Sequence, residues 1–144
     1  MKLNLERIYS LVYVGSPQGI VFGGPLAELA AQKEIDAVLA YKIGRALKRL
    51  RAEAKEVEDS RIALVKKYGV NEKGERVEIA GESLEKFNAE FKPLLAEEAE
   101  IEIRPLPLSE FQKGRAKLSG EMIAELLDIL IQDDGEIPKV AAEK

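Results

Sequence analysis

The sequence predicts an α+β fold dominated by helices, with one long helix, two to three shorter helices and a small sheet of about three short strands. The main observation is that residues 26–68 contain no proline and a single glycine and are rich in Ala, Leu, Glu, Lys and Arg, a composition that favours helix. Three brief segments elsewhere alternate apolar and polar residues, as half-buried strands do. With 144 residues, 46% of them apolar and 33% charged, the chain is long enough to bury one core.

The N-terminal segment is expected to hold a short strand and then a helix. Leu3 and Leu5 alternate with polar residues, and residues 8–12 take up helical spacing. Residues 15–25 follow with four glycines and two prolines, which predicts an irregular loop. Pro25 is well placed as the first residue of the next helix, since its fixed φ suits that position.

The next predicted element is a long helix over residues 26–68, or two helices in succession that break near Gln32 and Lys33. Its seam positions step by four and three residues over more than three heptads; they are Ile43, Leu47, Leu50, Ala54, Val57, Arg61, Leu64 and Tyr68. A seam of this kind normally faces another helix. Gly69 supplies the expected C-terminal stop.

The second half of the chain is predicted to alternate short strands with short helices. Residues 76–80 and 100–104 show the alternation of strands. The helix between them has an apolar face that includes Phe87 and Phe91. Pro93 is expected to kink or restart this helix, because a proline in a helix interior costs about 3 kcal/mol.

The C-terminal region is predicted to form one more helix and a tail. Ser119 is positioned to cap a strongly apolar helix that ends at Asp133-Asp134-Gly135. No segment has the composition of a linker between domains. Residues 1–132 are therefore expected to form one α+β domain, and residues 133–144 a loose tail or an arm that becomes ordered only on a partner.

Two residue types are absent from the chain, and their absence excludes several chemistries. The chain has no cysteine, which excludes disulfides, thiolate metal sites and a cysteine nucleophile. It has no histidine either, which excludes Ser-His-Asp catalysis and histidine-ligated zinc. The sequence thus predicts a protein that is not an enzyme, with no cofactor, no metal and no catalytic residue. The alternative for an enzyme is a magnesium site built from carboxylates such as Glu100, Glu102, Asp133 and Asp134.

Charge and hydropathy bear on location and on partners. The 22 basic and 26 acidic residues give a net charge of −4, which disfavours a general nucleic-acid coat. No window of 18 consecutive apolar residues is present, so no membrane-spanning helix is expected. The N-terminus lacks the apolar core of a signal peptide. We therefore expect a cytoplasmic protein that does not bind membranes.

Arg61 occupies a seam position where its charge would lose water. Burial of an unpaired charge is costly, so the guanidinium needs a partner. One interpretation pairs it with a carboxylate such as Glu53, Glu58 or one on a facing helix. The other places it in a cleft, where it holds an anionic ligand or a partner's carboxylate through a bidentate contact.

A basic stripe is predicted on the long helix, roughly opposite the seam. Lys42, Arg45, Lys48 and Arg49 fall within about 120° of the helix circumference, given 3.6 residues per turn. Such a stripe can contact an anionic partner. Acidic residues follow on the same side of the helix, so a solvated face with ion pairs is the alternative.

The glycine-rich segment 15–25 is the remaining candidate feature. It matches neither the P-loop pattern nor a dinucleotide-binding fingerprint. Within it, Ile20, Val21 and Phe22 are apolar enough to be buried in a groove. The segment is therefore interpreted as a flexible connector or as a contact between chains.

A scattered set of positions between residues 35 and 130 forms a recognisable pattern. They are Tyr41-Lys42-Ile43-Gly44-Arg45, Glu53, Arg61, Leu64, Lys67-Tyr68-Gly69, Phe87, Glu90, Leu94-Leu95 and Glu100-Ile101-Glu102-Ile103. In these positions the chain resembles a recurring type of small uncharacterised protein of tailed bacteriophages and prophages. The resemblance implies a phage-encoded origin, and it brings no catalytic residue and no established activity.

Two functions follow from these features as hypotheses. The first is a homo-oligomeric phage accessory protein without enzymatic activity that acts by protein–protein contact, either as a virion component or as a modulator of a host enzyme or defence factor. The seam and the apolar last helix motivate it, because they offer more apolar surface than a small sheet covers. The alternative is a binder that sequesters an anionic nucleotide signal of host immunity. The candidate contact residues are Arg61, Arg45, Lys42, Arg49 and Phe22.

Overall fold

The computed structural model describes residues 1–17, 19–69, 73–75 and 78–132, and these form six α-helices and six short β-strands. In chain order the elements are β1 (Lys2–Asn4), α1 (Leu5–Val12), β2 (Tyr13–Ser16), β3 (Gly19–Phe22), α2 (Pro25–Ala30), α3 (Ala37–Tyr68), α4 (Glu82–Leu95), β4 (Glu98–Glu100), β5 (Leu106–Pro107), α5 (Leu108–Lys113), α6 (Gly120–Leu126) and β6 (Ile131–Gln132). The helix-dominated α+β class is confirmed. In the described part of the chain the strands pair two by two, β1 with β4, β2 with β3 and β5 with β6.

The prediction of one helix over residues 26–68 is wrong, whereas the alternative break near Gln32 and Lys33 is confirmed. Helix α2 ends at Ala30 and α3 begins at Ala37. The Asp36 side chain caps α3 by accepting a hydrogen bond from the Leu39 amide at 2.9 Å. Its own amide donates to the carbonyl of Gly114 at 3.0 Å. A local cap and one contact with a distant part of the chain thus replace the hydrogen bonds that a continuous helix would make here.

The heptad seam of α3 is covered by helices of the same chain. Its first five members, Ile43, Leu47, Leu50, Ala54 and Val57, are buried. Helices α1, α2 and α4 pack against α3, as the seam predicts. Because the chain itself buries the seam, the seam no longer supports a homo-oligomer.

The predicted irregular loop over residues 15–25 is wrong, because its first part forms a β-hairpin. Strand β2 pairs antiparallel with β3, with Tyr13 opposite Phe22 and Ser16 opposite Gly19. Gly19 has a φ of +112°, a conformation that L side chains rarely adopt. The glycine that was expected to prevent regular structure here permits the tight turn that joins two strands.

The predicted elements between Gly69 and Pro105 are shifted or shortened. Arg76 and Val77 lie outside the described residues, and residues 78–80 form no strand. Helix α4 runs through Pro93 without a restart and ends two residues later at Leu95. The strand expected over residues 100–104 begins earlier, as β4, and ends at Glu100 because its pairing with β1 stops there.

The last helix is capped as predicted but is shorter than expected. The Ser119 hydroxyl accepts a hydrogen bond from the Met122 amide at 3.1 Å. Helix α6 ends at Leu126 rather than at residue 133, because the chain turns at Asp128, whose φ is +65°. Ile131 then pairs with Leu106 of β5 in parallel. The predicted tail, residues 133–144, lies outside the described residues.

Gly114, at the end of α5, is a position where even one methyl group is expected to destabilise the fold. A Cβ built there lies 2.8 Å from Cβ of the buried Leu39. We expect Gly114→Ala to lower the free energy of unfolding by about 1–3 kcal/mol, because an overpacked core must move backbone or side chains. Urea denaturation measures this change.

Gly44 provides the matched control for this substitution. It lies in the middle of α3, and a Cβ built there meets nothing within 4 Å. Gly44→Ala is expected to raise the free energy of unfolding by about 0.5–1 kcal/mol, since alanine is the better helix former. A loss of stability at both positions would contradict the steric argument.

Candidate binding groove

A groove of about 620 Å³ lies between the N-terminal half of α3 and the segment that follows β4. Its lining residues are Met1, Tyr41, Lys42, Arg45, Ala46, Arg49, Glu100, Ile101, Glu102, Ile103, Arg104, Leu106 and Leu130. Three of the candidate residues, Lys42, Arg45 and Arg49, therefore lie in one groove. We call this feature the basic groove, because four lysine and arginine side chains and two glutamates line it.

Helix α3 supplies one wall of the basic groove. Tyr41, Arg45 and Arg49 follow one another at intervals of four residues, and Lys42 lies beside them, so all four share one helix face. Other buried residues of the same helix, such as Ile43, Leu47 and Leu50, belong to the core. The capped, 32-residue helix is a rigid support that holds these side chains in register.

The segment after β4 supplies the other wall. Glu100, Glu102 and Arg104 are exposed, whereas Ile101 is buried, so the alternation predicted for a strand is present although residues 101–104 are not paired as one. The Ile101 amide donates to the carbonyl of Met1 at 2.8 Å. This hydrogen bond extends the β1–β4 contact by one residue.

The floor of the groove is apolar. Ala46 from α3 meets Ile101, Leu106 and Leu130 there, and all four are buried. The Leu106 amide donates to the carbonyl of Leu130 at 2.8 Å, which ties β5 to the turn before β6. The groove therefore combines a dry floor with a charged rim, the usual composition of a binding site.

Two of the four lysine and arginine side chains at the rim form ion pairs within the chain. Lys42 Nζ lies 3.2 Å from Glu110 Oε2 of α5. Arg49 donates to the main-chain oxygen of Glu102, and its Nη2 lies 3.5 Å from Glu102 Oε2. These contacts connect α3 to both α5 and the segment after β4, so they position the walls of the groove.

The other two side chains at the rim are Arg45 and Arg104. Arg45 and Arg104 are exposed, and neither forms a hydrogen bond or ion pair with any residue that the structure describes. Both line the groove. A guanidinium offers up to five N–H donors in a fixed planar geometry that suits carboxylates and phosphates. The groove is thus suited to an anionic group that contacts these two side chains.

Arg61 lies elsewhere and is paired within the chain. Its guanidinium makes a bidentate contact with Glu58, whose Oε2 is 3.0 Å from Nη2, and Tyr9 of α1 donates its hydroxyl to the same carboxylate at 2.8 Å. The interpretation that Arg61 pairs with Glu58 is confirmed. Sixteen residues of helix separate Arg61 from Arg45, about 24 Å at 1.5 Å per residue. The two arginines therefore cannot contact one small ligand.

Ionisation in this cluster reflects the same contacts. The hydrogen bond from Arg61 lowers the pKa of Glu58, and the bond from Tyr9 lowers it further. The bond to Glu58 raises the pKa of Arg61. Burial, together with the hydrogen bond to Glu58, raises the pKa of Tyr9 to about 12. Glu58 is therefore held as a carboxylate and Tyr9 as a neutral phenol, which is the state that preserves the cluster.

Phe22 lies on the hairpin and not in the basic groove. Its ring stacks on Tyr13 with centroids 5.0 Å apart, and the guanidinium of Arg51 lies 4.6 Å above it. The side chain nevertheless remains 53% exposed. Phe22 therefore anchors the hairpin to α3 while it presents apolar surface to solvent.

Sequence reasoning missed Arg104 and Tyr41 as groove residues. Arg104 alternates with Glu100 and Glu102, so the strand pattern already placed it on their face, but nothing in the sequence brought that face to α3. Tyr41 is one residue from Lys42 and is 66% exposed. The four-residue spacing between Tyr41 and Arg45 places both on one helix face, and this spacing could have identified Tyr41 from the sequence.

No group of three acidic residues that could hold a metal ion is found within the described residues. In the same part of the chain, no helix is both long and apolar enough to cross a membrane. Comparison of the chain with family models, with curated proteins and with solved structures returned no match.

Proposed function

We propose that this protein is a phage accessory protein without enzymatic activity, which acts by protein–protein contact and holds an acidic segment of its partner in the basic groove. The observation that carries the proposal is that Arg45 and Arg104 line one groove and pair with none of the described residues. Two guanidinium groups beside an apolar floor, with no ion pair to any described residue, are suited to an acidic partner, even though the chain has a net charge of −4. The partner would be a virion component or a host enzyme, met in the cytoplasm of the host cell.

The shape of the groove supports a peptide segment as the bound group. Its apolar floor accommodates an aliphatic side chain, and the guanidinium groups of Arg45 and Arg104 can donate hydrogen bonds to carboxylates on either side of it. Glu100 and Glu102 stand on one wall, where Glu100 is paired with the N-terminal ammonium and Glu102 with Arg49, so neither is paired with Arg45 or Arg104. An acidic peptide with a central apolar residue satisfies both requirements.

The test uses a fluorescently labelled peptide of glutamates with one central leucine. We expect the double variant Arg45→Glu/Arg104→Glu to weaken its binding by about tenfold or more, because each lost charged contact is worth about 1–3 kcal/mol. Fluorescence anisotropy measures the affinity. Circular dichroism of the variant establishes that both exposed positions tolerate the change.

The matched control is the double variant Lys48→Glu/Lys66→Glu. Both lysines are exposed residues of α3 outside the groove, and the change in net charge is the same. We expect this control to bind the peptide within about twofold of the parent. It changes only long-range charge interactions, and salt screens these. Equal losses in the two double variants would show that only net charge matters, and the proposal would be wrong.

A nucleotide is the second candidate for the groove, and Tyr41 is the observation that favours it. An exposed aromatic ring beside two guanidinium groups can stack on a base while the arginines contact phosphates. The version of this hypothesis that relied on Arg61 is excluded by the distance along α3. Calorimetry with a cyclic dinucleotide tests this second candidate. If the dinucleotide binds at micromolar concentration, and Tyr41→Ala abolishes its binding but not that of the peptide, the nucleotide is the better candidate ligand.

A further inference from the structure

The β2–β3 hairpin is an exposed apolar feature that the basic groove does not use. Val14, Ile20, Val21 and Phe22 are each between 36% and 53% exposed. Every residue of β3 is exposed. A two-stranded hairpin on its own is only marginally stable in water, and a third strand or a packed face normally supports it.

One face of the hairpin is already supported within the chain. Tyr13 stacks on Phe22, and Arg51 of α3 covers the Phe22 ring. These ring contacts cover a face of the hairpin and not its edge. The backbone N–H and C=O groups of β3 point in the plane of the sheet, toward that edge. Nothing in these ring contacts satisfies the groups at that edge.

The register identifies which backbone groups point outward from β3. The Gly23 amide donates to the carbonyl of Val12 at 3.0 Å, so this pair is hydrogen-bonded and, by alternation, so is the pair of Val14 and Val21. The N–H and C=O groups of Ile20 and Phe22 therefore point away from β2. No hydrogen bond to these two amides is formed by the described residues.

The sequence of the hairpin also lacks the charged side chains that normally protect an edge strand. Residues 8–27 contain no charged side chain, in a chain of which 33% is charged. Natural proteins usually place lysine, proline or an inward-pointing charge on a free edge to prevent pairing with another chain. Pro17 lies before β3, so it leaves the outer edge of that strand open.

We propose that β3 pairs antiparallel with β3 of a second copy of this chain, so that two hairpins form one four-stranded sheet. The absence of charge is the argument for a second copy, since an uncharged edge meets itself without repulsion and without burying an ion. A two-fold axis at Val21 places Ile20 opposite Phe22 of the partner. Each of these pairs exchanges both of its outward hydrogen bonds, so the outward groups of both strands are satisfied.

The short strands limit the strength of this dimer. Each β3 has four residues, so the contact is smaller than the interface of a standard stable complex. The dimer is accordingly expected to form at high micromolar concentration and to dissociate on dilution. It is independent of the groove, so peptide binding and dimerisation are expected to fail separately.

Sedimentation velocity from low micromolar to near millimolar protein tests the proposal. We expect the mass to rise with concentration from one chain toward two. Val21→Lys places two ammonium groups at the two-fold axis and is expected to raise the dissociation constant by about tenfold or more. Val38→Lys is the control, because Val38 is 66% exposed on α3, and it is expected to leave the dimer intact.

A cross-link tests the register directly, because the chain has no other cysteine. In the proposed dimer, Val21 lies opposite Val21 of the second copy as a non-hydrogen-bonded pair. The Cα atoms of such a pair are about 4.5 Å apart, within the range of about 4.4–6.8 Å for a disulfide. Val21→Cys is therefore expected to form a disulfide dimer under mild oxidation much faster than Val38→Cys. A protein that stays monomeric at all concentrations, or equal cross-linking at the two positions, would overturn the proposal.

Discussion

Phe111→Ala is expected to lower the free energy of unfolding by about 3–5 kcal/mol, the range for deleting a buried aromatic ring. Phe111 is 0% exposed and belongs to the core that joins α1, α2, α3 and α6. Its carbonyl also accepts a hydrogen bond from the Ala116 amide at 2.9 Å. The neighbouring Glu110 holds Lys42 at the groove, so loosening α5 is expected to weaken peptide binding as well. Urea denaturation and anisotropy measure the two effects.

Phe22→Ala is the matched control, because it deletes the same ring from a half-exposed position. Its expected cost is about 1 kcal/mol, from the loss of one stacked pair and one cation–π contact. The comparison is made on dilute protein, where the proposed dimer is dissociated. Similar costs for the two substitutions would show that Phe111 is not the core residue that its burial indicates.

Glu58→Gln is expected to lower the free energy of unfolding by about 1–3 kcal/mol at neutral pH, the range for a buried polar group that loses a charged partner. The side chains of Glu58 and Arg61 are 12% and 24% exposed. Glutamine offers one oxygen in place of two, so Tyr9 and Arg61 no longer both bind a carboxylate. Glu56→Gln is the control on the same helix, since Glu56 is exposed.

The same cluster predicts how stability depends on pH. The pKa of Glu58 is lowered from its ordinary value of 4.5, so the folded state binds this proton less readily than the unfolded state. The stabilisation is therefore fully present above pH 4.5 and is lost as the pH falls through the lower folded value. Glu58→Gln is expected to remove this part of the acid dependence. An unchanged acid profile in the variant would contradict the assignment.

The helical half of the fold could be predicted because helices are encoded locally. Ser119 and Gly69 act at the ends of helices through bonds that span three or four residues, and such contacts depend on nearby sequence alone. The seam of α3 was predicted for the same reason, since its periodicity reports which face is buried. Partners of that seam were not predictable, because they come from distant parts of the chain.

The hairpin and the groove were harder to predict, for related reasons. Four glycines and two prolines indicate a loop when they are counted as composition, although a glycine at a left-handed position is also what a tight hairpin needs. The groove requires Arg45 and Arg104, which are 59 residues apart in the sequence. Their meeting depends on how α3 packs against the segment after β4.

The sequence by itself determined the helix-dominated class, the caps, the basic stripe on α3 and the chemistries excluded by the absence of cysteine and histidine. Tertiary structure alone decided that Lys42, Arg45 and Arg49 of the stripe line one wall of a groove, that Tyr9 joins the Glu58–Arg61 pair, and that the glycine-rich segment begins with a β-hairpin. The physical reason is the range of the interactions involved. Helical periodicity, capping and the Glu58–Arg61 pair act over a few residues, whereas the groove and the contact of Tyr9 with Glu58 depend on chain segments that only folding brings together.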